Sequence, residues 1–260
     1  MRLMRLMGLD LSTKTGWSIV DDGKLICFGT VVEKPDGNNS HPSYPHNYIE
    51  CAKTIARRVA TLVRCNLPEM VIIEETNKGK NRFSQKLLEF IHYAINESLR
   101  EFDWLDVSYI DTSAWRKAVA VDFNDDEMES KKDLRKAKSS SKEEVRAEAQ
   151  PFFEEARLEF LAFAKNKREV KKRTRLFNQM MDEIVRESMS RKRMMKDGKR
   201  LTNLSKKHVA VRRVNEMFHT NFDIKDNDIC DSICLCVGYN ILRGEQDADQ
   251  QSTKNPQDRG

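Results

Sequence analysis

The sequence predicts an α/β protein: a three-stranded antiparallel meander, extended by parallel strands, flanked by helices and interrupted by a long charged helical insertion. Three observations predict it. Strand-sized segments follow one another at the N-terminus, with a tight-turn signal before the third. Apolar strands then alternate with amphipathic helices up to about residue 121, the pattern of a parallel extension. From Asp122 to about Asn203 strand signals vanish and charge takes over.

Residues 3–10 (Leu-Met-Arg-Leu-Met-Gly-Leu-Asp) read as a buried strand and Gly16–Val20 as a second, short one. Asp21-Asp-Gly23 supplies hairpin turn chemistry, and Lys24–Val32 is the returning strand. Residues 34–46, rich in Pro, Gly, Asn and Ser, form a loop. Between Tyr48 and Arg64, Ala52, Ile55, Ala56, Val59 and Val63 recur at helical spacing. Glu69–Glu75 is an apolar strand that ends in carboxylates. Residues 82–101 are helical again, and Val107–Ile110 is a strand. Thr112 or Ser113 caps a short helix through Ala120. In the insertion, Phe153, Ala156, Phe160 and Ala164, then Phe177, Met181, Ile184 and Val185, predict two long amphipathic helices. Ser205 caps a helix through Phe218, and Asp226–Arg243 is the last helix, apolar from Ile229 onward.

The 260 residues carry 46 Lys and Arg against 41 Asp and Glu, a formal charge of +5. Apolar residues make up 39% and charged residues 33%, which is polar for one compact globule. The longest apolar runs, such as Met70–Ile73, are strand-sized, far short of the ~20 residues that span a bilayer. Arg2 and Arg5 flank a run that ends at Asp10, without the apolar core and cleavage site of a secretory signal. The expectation is a cytoplasmic protein with no membrane contact. Six cysteines without a CxxC pair predict reduced thiols. Cys230, Cys234 and Cys236 read as small apolar residues of a buried helix rather than a zinc site. Positive charge gathers between residues 131 and 213, which points to a polyanion partner, nucleic acid first.

Four acids stand out because apolar runs adjoin them: Asp10, Glu74 (with Glu75 beside it), Asp228 and Asp231. Carboxylates are rarely buried unless paired, protonated or bound to cations. Asp228 and Asp231 are three apart and share one side of a helix. If the strand ending at Glu74 pairs beside the first, Glu74 comes alongside Asp10. A cluster of hard oxygens suits Mg²⁺ or Mn²⁺. Each acid also has a plain structural reading. Asp10 could cap the turn before Gly16, Glu74 or Glu75 could end a strand in solvent, and Asp228 could cap the last helix. The combination in one order favours a metal site.

That order resembles the RuvC-like Holliday junction resolvases of the RNase H-like nuclease superfamily. The residues that carry the resemblance are Gly8-Leu-Asp10-Leu-Ser12-Thr-Lys-Thr-Gly16-Trp17, Ile72-Ile-Glu74-Glu75 and Lys225-Asp-Asn-Asp228-Ile-Cys-Asp231-Ser-Ile. Ser113-Ala-Trp115-Arg116-Lys117 is similar to a further segment of these nucleases. The match spans roughly residues 3–121 and 204–243. It implies an RNase H-like fold in which Asp10, Glu74, Asp228 and Asp231 are the catalytic metal ligands, Glu75 being the alternative glutamate. Glu74 is chosen because the family's glutamate directly follows the apolar strand. Leu11-Ser12 replaces the Pro-Gly of the cellular members, and the insertion is unusual. Both departures fit a divergent member of virus or phage type. The implied organisation is a nuclease core in two parts, 1–121 and 204–243, a charged helical insertion at 122–203 and a disordered tail at 244–260.

The chemistry expected of such a site is two-metal-ion hydrolysis, with two divalent ions about 3.5–4 Å apart across a scissile phosphate. Lys206, Lys207 or His208 could neutralise phosphate charge, or simply begin a solvated helix. Lys165, Lys167, Arg168, Lys171, Lys172, Arg173 and Arg175 would grip DNA backbone, or belong to a solvated, dimerising arm. The partner implied is branched DNA, a four-way junction, met by a homodimer with one site per cut strand, in recombination or repair. Two alternatives are a sugar kinase or actin-like ATPase, whose phosphate loop Asp10–Gly16 also resembles, and a non-catalytic DNA-binding accessory protein.

Overall fold

A computed structural model of the chain describes residues 4–35, 44–75, 81–162, 164, 166–191, 194–196, 199–200 and 202–253. In chain order the elements are β1 (Leu6–Asp10), β2 (Lys14–Asp21), β3 (Lys24–Val32), α1 (His46–Asn66), β4 (Met70–Glu74), α2 (Arg82–Leu99), β5 (Asp106–Ile110) and α3 (Thr112–Ala118). There follow α4 (Asp125–Ala162), α5 (Lys167–Arg191), β6 (Met195–Lys196), β7 (Lys199–Arg200), α6 (Lys206–Phe218), a 3-10 turn (Ile224–Asp226) and α7 (Asn227–Thr253). The chain divides into two compact units. One joins Met1–Asp122 to Ser205–Gly260, and the other is Phe123–Leu204.

The first unit is built on one five-stranded sheet in the order β3-β2-β1-β4-β5. β1–β2 and β2–β3 pair antiparallel, whereas β1–β4 and β4–β5 pair parallel. This is an RNase H-like fold: the meander the sequence predicts, extended by its parallel strands. The β2–β3 turn places Asp22 at φ 49° and Gly23 at φ 74°, the left-handed pair that a two-residue hairpin needs.

Side chains alternate across a strand, and the two faces of β1 have different tasks. Met7 and Leu9, with Val71 and Ile73 of β4, join the core under α1 and α2, where Ile55, Val59, Ile91 and Ile95 are fully buried. Leu6 and Val20 pack on the other face with Cys236 of α7. On that face β1 carries Gly8, and a methyl group there would lie 2.0 Å from the Ser232 carbonyl oxygen. At Gly16 of β2 it would lie 1.9 Å from the Asp228 carbonyl oxygen. The two glycines let α7 press its backbone onto the sheet. Gly238 does the same for Trp115 of α3, whose Cβ would be 2.9 Å from an added methyl.

The second unit holds the helices α4 and α5. Phe160 meets Phe177 with ring centroids 6.0 Å apart, and Arg146 ion-pairs with Asp182 at 2.6 Å. Contacts therefore move up α5 as they move down α4, so the helices run antiparallel. Leu134, Val145, Phe177, Val185 and Met194 are buried in this unit.

Four expectations need correction. Asp111, not Thr112 or Ser113, caps α3: its carboxylate accepts from the N–H groups of Ser113 (2.8 Å) and Ala114 (3.1 Å). The insertion is not free of strands, because β6 and β7 form a short hairpin. Ala164 lies outside both helices. The tail expected to be disordered from 244 is helical to Thr253, since Glu, Gln and Ala favour helix there; 254–260 lie outside the described residues. All six cysteines are free thiols. No helix among the described residues is long and apolar enough to cross a membrane.

Candidate metal centre

The register of the two central strands places the first two acids. β1 and β4 run parallel with Leu9 opposite Ile73. The next residues, Asp10 and Glu74, therefore sit side by side at the strands' C-terminal ends, on the face that α7 covers. Glu75 projects the other way and is exposed; its backbone N–H donates to the Ile110 carbonyl at 2.9 Å. Asp228 and Asp231 stand in the first turns of α7, which Gly16 and Gly8 hold against β2 and β1. Asp231 is only 4% exposed.

The electrostatics show the convergence. The Asp10 pKa is pushed up to about 8, first by burial, then by the negative charges of Asp231, Glu74 and Asp228, with Lys207 opposing. Asp231 rises to about 7, mainly by burial, with Glu74 and Asp228 adding to the rise and Lys207 and Arg116 opposing it. Asp10 and Asp231 thus lie in the fields of Glu74 and Asp228 in a poorly solvated place, where like charges oppose ionisation.

Cations and donors hold the cluster. Lys14 Nζ lies 2.7 Å from Asp228 Oδ2 and donates to the Lys225 carbonyl at 2.9 Å. Lys207 Nζ is 3.7 Å from Asp228 Oδ1, and Asn227 Nδ2 donates to the same oxygen at 2.6 Å. The Thr112 hydroxyl donates to Glu74 Oε1, a role open to it because Asp111 does the capping. Lys14, Thr112 and Arg116 were not among the sequence candidates. Lys14 and Arg116 lie inside the motif segments, but an ordinary surface cation gives no signal until its carboxylate partner is known.

The other candidates divide. Lys206 Nζ donates to the Val121 carbonyl and ion-pairs with Asp122, both at 2.6 Å, so it braces the chain where the core resumes. His208 Nδ1 accepts from the Ser205 N–H at 3.2 Å and closes the capping box of α6. In the second unit Lys167, Arg168, Lys171, Lys172 and Arg175 are exposed. Arg173 is half-buried, donating to the Phe160 carbonyl at 3.0 Å and lying 3.7 Å from Glu169. Lys165 lies outside the described residues.

The donor set suits a hard divalent cation. Asp231 Oδ1 is buried without a hydrogen-bond partner, and an orphaned carboxylate oxygen among other carboxylates lacks a positive charge. Among the described residues no three such side chains close into a ready coordination shell. Lys14 and Asn227 engage the Asp228 carboxylate, and Thr112 the Glu74 carboxylate.

The fold has known counterparts. Thermus thermophilus RuvC superposes with a TM-score of 0.50 at 11% identity, over 94% of this chain and 97% of that one. The yeast mitochondrial Holliday junction resolvase Ydc2 gives 0.41 at 10% identity over 95% of this chain and 84% of its own. T. thermophilus RuvC in complex with Holliday junction substrate gives 0.38 at 19%, over 45% and 70%. No protein-family model matches the chain, and no curated protein matches its sequence.

Proposed function

From this RuvC-like fold and the acids at its centre, we propose that the protein is a divalent-metal-dependent, structure-selective DNA endonuclease that resolves four-way junctions or related branched DNA. The observation that carries the reading is that Asp10, at the end of β1, and Asp231, on α7, are buried within the fields of Glu74 and Asp228. These four would hold Mg²⁺ or Mn²⁺, two ions per site. When bound, such ions would lower the pKa of water and offset the negative charge of the leaving oxygen.

The chain's own groups do the rest. Thr112 orients Glu74. Lys14 and Lys207 stand beside Asp228, where they meet the negative charge of an arriving phosphate. Arg116 offsets the charge of Asp231 from within the fold. The exposed Lys167, Arg168, Lys171, Lys172 and Arg175 hold backbone phosphates without reading sequence. A homodimer sets one site on each of the two strands of a symmetric junction. The kinase or ATPase alternative is not favoured: the described residues hold one five-stranded sheet besides the short β6–β7 pair, where that reading needs a second phosphate-binding domain.

The test is incubation with a synthetic four-way junction, a flap and a linear duplex, with Mg²⁺, Mn²⁺ or EDTA. The wild type is expected to nick the branched substrates only with metal. Asp10→Asn and Asp231→Asn are expected to keep junction binding and lose cleavage by about 10²-fold or more. Cutting at the wild-type rate by both variants overturns the site.

A further inference from the structure

We propose that one face of the α4–α5 hairpin is a second polyanion seat, a track for the phosphate backbone of a DNA duplex arm, apart from the basic stretch 165–175. The inference deepens the nuclease reading by naming where an arm of the substrate is held. On α4, Lys131, Arg135, Lys138, Lys142 and Arg146 are spaced three or four apart. At 100° per residue they fall within one stripe about 80° wide that extends about 22 Å along the helix. All but the half-buried Lys131 are exposed, and Lys131 lies over the Phe123 ring, 3.6 Å from its centroid. On α5, Arg186 and Asp182 lie across from the Lys138–Arg146 part of this stripe.

The α4 stripe borders a groove. A cavity of 610 Å³ lies between the helices, walled by Lys138, Lys142, Arg146 and Arg186 and floored by Val185, Met189 and Met194. Asp182 is held by Arg146 at 2.6 Å, so the wall stays net positive. Charges of one sign around a low-dielectric floor focus the field outward. A small anion would need only one or two of these cations. A stripe of this length with the same sign throughout matches a repeating polyanion, and the acids of α4 between Lys131 and Arg146 (Asp133, Glu143 and Glu144) fall off the stripe.

The test measures binding of a labelled four-way junction and a linear duplex to the full-length protein in EDTA, across a salt series of about 50 to 200 mM. Lys138→Gln/Lys142→Gln/Arg186→Gln leaves the Arg146–Asp182 pair in place. It is expected to weaken binding about 10-fold or more at low salt and to flatten the log–log salt slope by about 2 to 3. A comparator losing three exposed cations of the first unit, Lys24→Gln/Lys53→Gln/Arg57→Gln, is expected to keep the slope. An unchanged slope in the hairpin variant, or an equal loss in the comparator, overturns the seat. So does capture of phosphatidylserine vesicles by a protein that binds neither DNA. Because EDTA removes cleavage from the measurement, a protein that cuts nothing yet loses slope in the hairpin variant retains this seat and overturns only the nuclease reading.

Discussion

Two glycines decide where the acids of α7 stand. An added methyl at Gly16 meets backbone, the Asp228 carbonyl oxygen at 1.9 Å and carbon at 2.2 Å, so no side chain can turn aside to admit it. Gly16→Ala must therefore lift the start of α7 or bend β2, at a cost of about 2 kcal/mol or more. Urea unfolding should show a lower midpoint for Gly16→Ala, and cleavage should fall with it because Asp228 moves. An unshifted midpoint would mean that the helix is not pressed onto the sheet. The acids were legible in the sequence because carboxylates beside apolar runs are anomalous. The reason for the glycines was not, since a close approach joins residues far apart in the chain. That Glu74 rather than Glu75 lies beside Asp10 follows from strand parity, through the pairing of Leu9 with Ile73.

At the level of elements, the strands and their turn were readable because period two, Asp-Gly and β-branched runs are local signals. The misses have local causes as well. Thr112 and Ser113 are as good capping residues as Asp111, and only the hydrogen bonds choose among them. The β6–β7 hairpin is two residues per strand, too short for alternation to register against the surrounding charge. The insertion is separable in kind. Its entry and exit are fixed within the first unit, by Lys206 on Val121 and Asp122 and by Arg212 Nη2 on the Asp122 carbonyl at 3.0 Å. Replacing residues 123–204 with a short Gly–Ser linker should therefore leave a unit that melts in one transition, within about 5 °C of the parent's first-unit transition. An excised chain without cooperative melting would show that the core depends on the arm.

Across the whole molecule, the acid cluster makes stability a function of pH and of divalent ions. Asp10 and Asp231 titrate in the fold near 8 and 7, against 3.8 for the free side chain. Between about pH 4 and pH 8 the folded chain therefore binds more protons than the unfolded chain. Their contribution to stability therefore falls as pH rises through that window and is fullest at its acid end. At about 1.4 kcal/mol per pKa unit, a fraction of these shifts already amounts to a few kcal/mol, or about 5–10 °C in melting temperature. A cation held by these oxygens favours their ionised form and should reverse the trend. With metal at about 100 times its dissociation constant the gain is about 2.7 kcal/mol, present at pH 8 and small at pH 5, where protons already occupy the site. Melting curves in EDTA and in Mn²⁺ at those two pH values measure both slopes. Asp10→Asn should flatten the pH dependence in EDTA and abolish the metal-induced rise. A rise that survives Asp10→Asn would place the ions elsewhere in the molecule and remove the carboxylate centre from the account of its chemistry.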